Sequence, residues 1–214
     1  LASVYCDAVF FPLISEKHFK QEGHHFDFEE TGDQNSGLTV KGVVYNEMKG
    51  NYSDLDNLIY RYMCRSIFPD NAYGFDSGGD PAAIPQLTYQ TFKNFHSRYY
   101  HPSNAFFFIY GDIPTKKHLI FLDKEYLSRF ERTPIDTAIA SQPRWSEPRY
   151  EIVPYPIAEN ENPERKTAVL LTFLTNDVND RLKTLALAIL DMYLLGNDAS
   201  PLRKALNYSG LGEK

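Results

Sequence analysis

The side chain with the most chemical promise is Glu47. A helix through it puts Val43 and Val44 at i−4 and i−3, on the same face. Those valines are expected to point at the core and to carry Glu47 to the core or its margin. Its helical neighbours Val43, Val44, Gly50 and Asn51 include no base. A carboxylate drawn away from water needs a counter-charge or keeps its proton. Two readings stay open. Glu47 is paired with an Arg or Lys from another element, or reaches solvent; or it is a metal ligand.

The six histidines, His18, His24, His25, His96, His101 and His118, do not complete a metal pattern. No pair stands at i, i+4, and both His-Glu-x-x-His and its inverse His-x-x-Glu-His are absent. A zinc site takes three or four ligands, so a complete one is not expected within these residues. Ser77-Gly78-Gly79-Asp80 has the glycines of a phosphate loop but no Gly-Lys-Ser/Thr. Its own acids would repel phosphate, and a structural turn is the expectation. No Gly-x-Ser-x-Gly elbow is present.

These residues need elements to position them. Val4, Ala8 and Phe11 fit the end of a helix stopped by Pro12. The alternation over residues 24–30 predicts a strand. Thr39 is placed as the cap of a helix from about Val40, and Ser53-Asp54 restarts helix up to Pro69. Helices are predicted over Tyr89–Tyr100, 115–130 and 177–195, with another opening at Ser200-Pro201. Strands are predicted over 105–110, 150–155 and 167–174, with a polar loop at 159–166. Residues 131–149 lack periodicity, carry Pro134, Pro143 and Pro148, and read as a linker.

Composition excludes several classes. The chain has 214 residues, of which 43% are hydrophobic and 23% charged, so it can build a core. Its 22 Lys and Arg against 28 Asp and Glu give a net charge of −6, which disfavours binding to a phosphate backbone. No apolar run nears the ~18 residues of a membrane span. Cys6 and Cys64 are too few for a disulfide framework. No nucleic-acid or membrane partner is therefore expected. The chain opens without Met on what reads as the end of a helix and closes on Ser209-Gly210-Leu211-Gly212-Glu213-Lys214 with no obvious terminal element, so it is expected to be a piece of a longer protein.

At Gly42-Val43-Val44-Tyr45-Asn46-Glu47-Met48-Lys49-Gly50 the chain resembles the presequence-protease branch of the pitrilysin, or insulin-degrading-enzyme, family of zinc peptidases. Further matching segments are Asp7-Ala8-Val9-Phe10-Phe11-Pro12, Gln21-Glu22-Gly23, Ser77-Gly78-Gly79-Asp80-Pro81, Leu87-Thr88-Tyr89 and Tyr99-Tyr100-His101-Pro102-Ser103-Asn104-Ala105. Ser200-Pro201-Leu202-Arg203-Lys204-Ala205-Leu206 and Ser209-Gly210-Leu211-Gly212 extend the likeness toward the end.

The resemblance implies an α+β fold: partial α/β-roll domains of the pitrilysin type, mostly antiparallel sheet packed with helices. Residues 1–135 would be the later part of a catalytic domain, 136–149 a linker, and 150–214 the start of a homologous non-catalytic domain. In this family two histidines and a downstream Glu bind zinc, and a Glu between the histidines is the general base. By motif position Glu47 is the downstream ligand. The inverted motif is expected upstream of Leu1, so no catalytic base is assigned here and the chain alone is expected to be inactive. The implied parent is a zinc metalloendopeptidase that degrades short unstructured peptides in an enclosed chamber. It would be cytoplasmic if bacterial and in an organellar matrix if eukaryotic. The alternative is a non-catalytic relative serving as chamber wall or scaffold for peptides or partner subunits. Exposed strand edges are expected to drive self-association of the chain.

Overall fold

The computed structural model describes residues 1–212 except 31, 158, 161 and 165. The described residues are mixed α+β: eight α-helices and one two-stranded antiparallel sheet. Two units form by contact. One comprises Leu1–Ala140 with Glu151–Lys166, the other Ser141–Tyr150 with the residues from Thr167 onward.

In the first unit, α1 (Ala2–Phe10) is followed by a short α2 (Glu16–His18), which widens into a π turn over Phe19–Gly23. Strand β1 (His25–Phe28) pairs with β2 (Leu38–Lys41), with His25 opposite Lys41 and Phe28 opposite Leu38. The Lys41 ammonium donates to Asp27 at 3.0 Å and to the Phe28 carbonyl at 2.7 Å, and this holds the Asp27 carboxyl below its usual range. Next come α3 (Val43–Asn51), α4 (Leu55–Ile67), α5 (Tyr89–Tyr99) and α6 (Thr115–Glu125). Local capping chemistry sets the starts of α4 and α5: Asp54 accepts from Asn57 N at 2.9 Å and Thr88 from Thr91 N at 3.1 Å. The buried apolar residues are Phe10, Phe19, Met48, Leu58, Ile67, Ile84, Leu122 and Tyr126. Phe10 gathers Phe107 and Phe130 at ring-centroid distances of 6.0 and 5.7 Å.

The second unit holds α7 (Arg181–Leu195), opened by Asp180 accepting from Lys183 N, and α8 (Pro201–Tyr208). Helix α7 is apolar nearly all round, and Leu182, Leu185, Ile189, Met192 and Tyr193 are exposed. Such a helix suits burial on several sides. No helix among the described residues is long and apolar enough to cross a membrane.

Several expectations need correction. The segment 38–41 is the strand that pairs with β1, and helix α3 starts at Val43 instead of about Val40. The β-branched Thr39 and Val40 suit a ladder, and Gly42 makes the break between strand and helix. The predicted helix over 115–130 is α6 followed by a 3₁₀ turn at Leu127–Arg129. The sheet among the described residues is antiparallel, as expected, but small: helices dominate, and no ladder among the described residues includes 105–110, 150–155 or 167–174. Alternation survives in the first of these. Phe106, Phe108 and Tyr110 are 93%, 81% and 94% exposed, while Phe107 turns to Phe10. The pattern of a strand is present, but a strand also needs a paired edge. In the third segment the Leu174 carbonyl accepts from the Arg144 guanidinium at 3.2 Å instead of from a neighbouring strand. Of the polar loop expected at 159–166, residues 161 and 165 lie outside the described residues.

Candidate functional site

Helix α3 carries Glu47, and it is held at both ends. At its start, Gly42 (φ +157°) lies so close to the preceding π turn that a Cβ there would sit 2.1 Å from the Gly23 carbonyl oxygen and 2.9 Å from His24 Cα. Only glycine fits this approach. At its end, Tyr52 donates its N–H to the Met48 carbonyl at 3.0 Å, and its ring lies beneath the Arg61 guanidinium, 3.7 Å from the ring centroid. Met48 is the one buried residue of α3, at 5% exposure, and faces the backbone of Gly78.

This geometry corrects the expected direction of Glu47. Val43, Val44 and Glu47 are all exposed, and the covered side of α3 is that of Met48. The apolar spacing is real, but the element that covers the helix is the 76–81 loop, which reaches Met48. Glu47 makes no hydrogen bond or ion pair with any described residue. Among the described residues, neither an Arg nor a Lys neutralises it.

The Ser77-Gly78-Gly79-Asp80 segment is a tightly pinned turn. Asp76 Oδ1 accepts from Gly78 N at 2.9 Å, and Asp80 Oδ1 from Ala82 N at 2.9 Å. Asp80 Oδ2 accepts from Arg61 and, at 3.1 Å, from Arg65. Burial alone would raise the Asp80 carboxyl; the Ala82 N–H and the two guanidinium groups outweigh it and hold it below the usual carboxylate range. Burial pushes the Tyr52 phenol up, and its hydroxyl is buried with no hydrogen-bond partner among the described residues. Sequence reasoning missed this network. Its signal was Arg61 and Arg65 at i, i+4 on one helix face, a pair that calls for an acid.

Four histidines serve the backbone. His24 Nε2 donates to the Leu87 carbonyl at 2.9 Å, His25 Nδ1 to Lys20 at 2.8 Å, and His96 Nε2 to Val9 at 2.9 Å. His101 Nδ1 accepts from Ser103 N at 3.1 Å. Among the described residues, no three His, Cys, Asp or Glu converge as a metal would require. An unpaired carboxylate on an anchored helix has the donor chemistry of one zinc ligand, and the described residues supply no full set.

The family described as "Peptidase M16 inactive domain" matches residues 86–214, more than half of the chain. The chain belongs to this pitrilysin-type peptidase family, in its presequence-protease branch. It is 42% identical over 207 residues to the mitochondrial presequence protease of Danio rerio, covering 96% of this chain and 20% of that protein. It is 44% identical over 218 residues to presequence protease 1, chloroplastic/mitochondrial, of Arabidopsis thaliana, covering 100% and 20%. Protein HypA of Clostridium perfringens is 44% identical over 216 residues, covering 100% and 22%. The chain thus spans about a fifth of the length of these relatives. Glu47 lies outside the stretch matched as the inactive domain.

Proposed function

We propose that this chain is part of a zinc-dependent metalloendopeptidase that degrades short, unstructured peptides in an enclosed chamber. Glu47 is its contribution to the metal site, and the other ligands and the general base come from residues outside these 214. Zinc, when bound, acidifies water and polarises the scissile carbonyl. The observation that carries the reading is the likeness, over nearly the whole chain, to proteins named presequence proteases, and an exposed Glu47 with no partner among the described residues is compatible with it. The names of the relatives support the peptidase assignment. On this reading residues 1–135 belong to the catalytic domain, 136–149 link, and 150–214 belong to the homologous non-catalytic domain. The extended segments 105–110, 150–155 and 167–174 would be strands of pitrilysin-type rolls. A eukaryotic parent would work in an organellar matrix, as the names of the mitochondrial and chloroplastic relatives suggest.

The chain alone is expected to bind no stoichiometric zinc and to cleave no peptide, because one carboxylate cannot replace a three-ligand site. Metal content after dialysis and turnover of a quenched fluorescent peptide check this. Stoichiometric zinc with chelator-sensitive cleavage would refute it and would make His24, His25 and His96 candidate ligands again.

A second reading is a non-catalytic wall or scaffold that binds peptides or partner subunits. The match of residues 86–214 to a domain described as inactive favours it. A parent lacking the inverted His-x-x-Glu-His motif would decide for this reading.

Self-association of the isolated chain is also proposed. Exposed Phe106, Phe108 and Tyr110 on an unpaired extended segment invite strand addition, and α7 exposes further apolar surface. Sedimentation at micromolar concentration should show species above the monomer mass. A clean monomer overturns this.

A further inference from the structure

The grip on the C-terminal half of α3 comes from α4 and from the 76–81 turn. Arg61 reaches across to the Tyr52 ring and is itself nearly buried, at 11% side-chain exposure. A guanidinium so placed needs both a fixed direction and a counter-charge. Asp80 supplies both, and it also takes Arg65, one turn further along α4. The same turn brings the Gly78 backbone so close to Met48 that a Cβ on Gly78 would lie 2.4 Å from its sulfur. Met48 is the residue next to Glu47, and Tyr52 ends the helix. The turn therefore touches α3 at two points, one directly and one through Arg61.

We propose that Asp80 is a positioning residue for Glu47: by clamping Arg61 on Tyr52, from a turn whose Gly78 lies against Met48, it fixes where the Glu47 carboxylate points. The inference rests on the reading of Glu47 as a zinc ligand. A metal ligand must be held to within a fraction of an ångström, and the groups that orient it matter nearly as much as the ligand itself. Glu47 has no side-chain partner of its own among the described residues to do this, so its orientation depends on its helix.

The test uses the full-length parent with Asp80→Asn, Tyr52→Leu, Tyr52→Phe and Glu47→Gln. Its readouts are zinc retention against a chelator, the visible spectrum of the cobalt-substituted protein, thermal unfolding, and kcat and KM on a quenched peptide. Asp80→Asn and Tyr52→Leu should each weaken zinc retention roughly tenfold, alter the cobalt spectrum and lower kcat with KM nearly unchanged. Tyr52→Phe keeps the ring beneath Arg61 and should hold zinc far better than Tyr52→Leu, since the hydroxyl it removes has no partner among the described residues. A folded Asp80→Asn with wild-type zinc retention, spectrum and kcat overturns the proposal. So does a loss that only tracks the unfolded fraction. If Asp80→Asn does not fold, Tyr52→Leu decides, because it leaves the Asp80 ion pairs in place. If Glu47→Gln loses zinc while the other variants keep it, the positioning role alone falls. If Glu47→Gln keeps its zinc, the ligand reading falls and the positioning role falls with it.

Discussion

Glu47→Gln in the full-length parent should lower kcat/KM by roughly 100-fold or more, with a parallel loss of zinc. Losing an outer partner of a metal site already costs about 10–100-fold, and removing a ligand's charge should cost more. The amide keeps the size of the carboxylate and its place on α3, so the fold is left alone. Glu47 is exposed and makes no hydrogen bond or ion pair with a described residue, which gives the fold nothing to lose. Thermal unfolding of the zinc-free proteins should therefore coincide. Metal content and peptide turnover measured together check the prediction. A variant with normal zinc and normal activity would remove Glu47 from the site.

Gly42→Ala should be the most damaging single methyl in the first unit. The new Cβ would lie 2.1 Å from the Gly23 carbonyl oxygen, and the atoms it meets are backbone that cannot rotate away. Either the π turn separates from the junction between β2 and α3, or the junction bends. The backbone at φ +157° adds strain for any residue with a side chain. Together these should destabilise the chain by about 3 kcal/mol or more. Gly50→Ala is the matched control on the same helix. Beyond its chain neighbours and its own helix backbone, no atom of the described residues lies within 4 Å of its added Cβ, so the better helix former should stabilise by about 0.5–1 kcal/mol. Urea unfolding of the two variants should move in opposite directions. A neutral Gly42→Ala would show that the close approach is not needed.

Much of the local structure was legible in the sequence because it is decided by neighbours a few residues apart. Asp54 and Thr88 cap their helices through contacts three residues long, as Asp180 does for α7, which starts at Arg181 instead of the expected 177. The pairing partner of β1 was not legible, because a ladder joins residues that nothing nearby specifies. Thr39 and Val40 fit a helix start as readily as a strand until Gly42 is seen against Gly23. The same limit explains 105–110, where alternation marks an extended chain but cannot provide the strand that would pair with it.

Glu47 shows the division most clearly. Its lack of a basic helical neighbour and the family likeness of the motif around it were readable in the sequence alone. Which side of α3 is covered was not. That depended on a turn some thirty residues away, with Gly78 small enough to seat Met48 and Asp80 charged to hold Arg61 over Tyr52. Helical periodicity marks an apolar stripe, but burial is settled by whatever the rest of the chain brings against it.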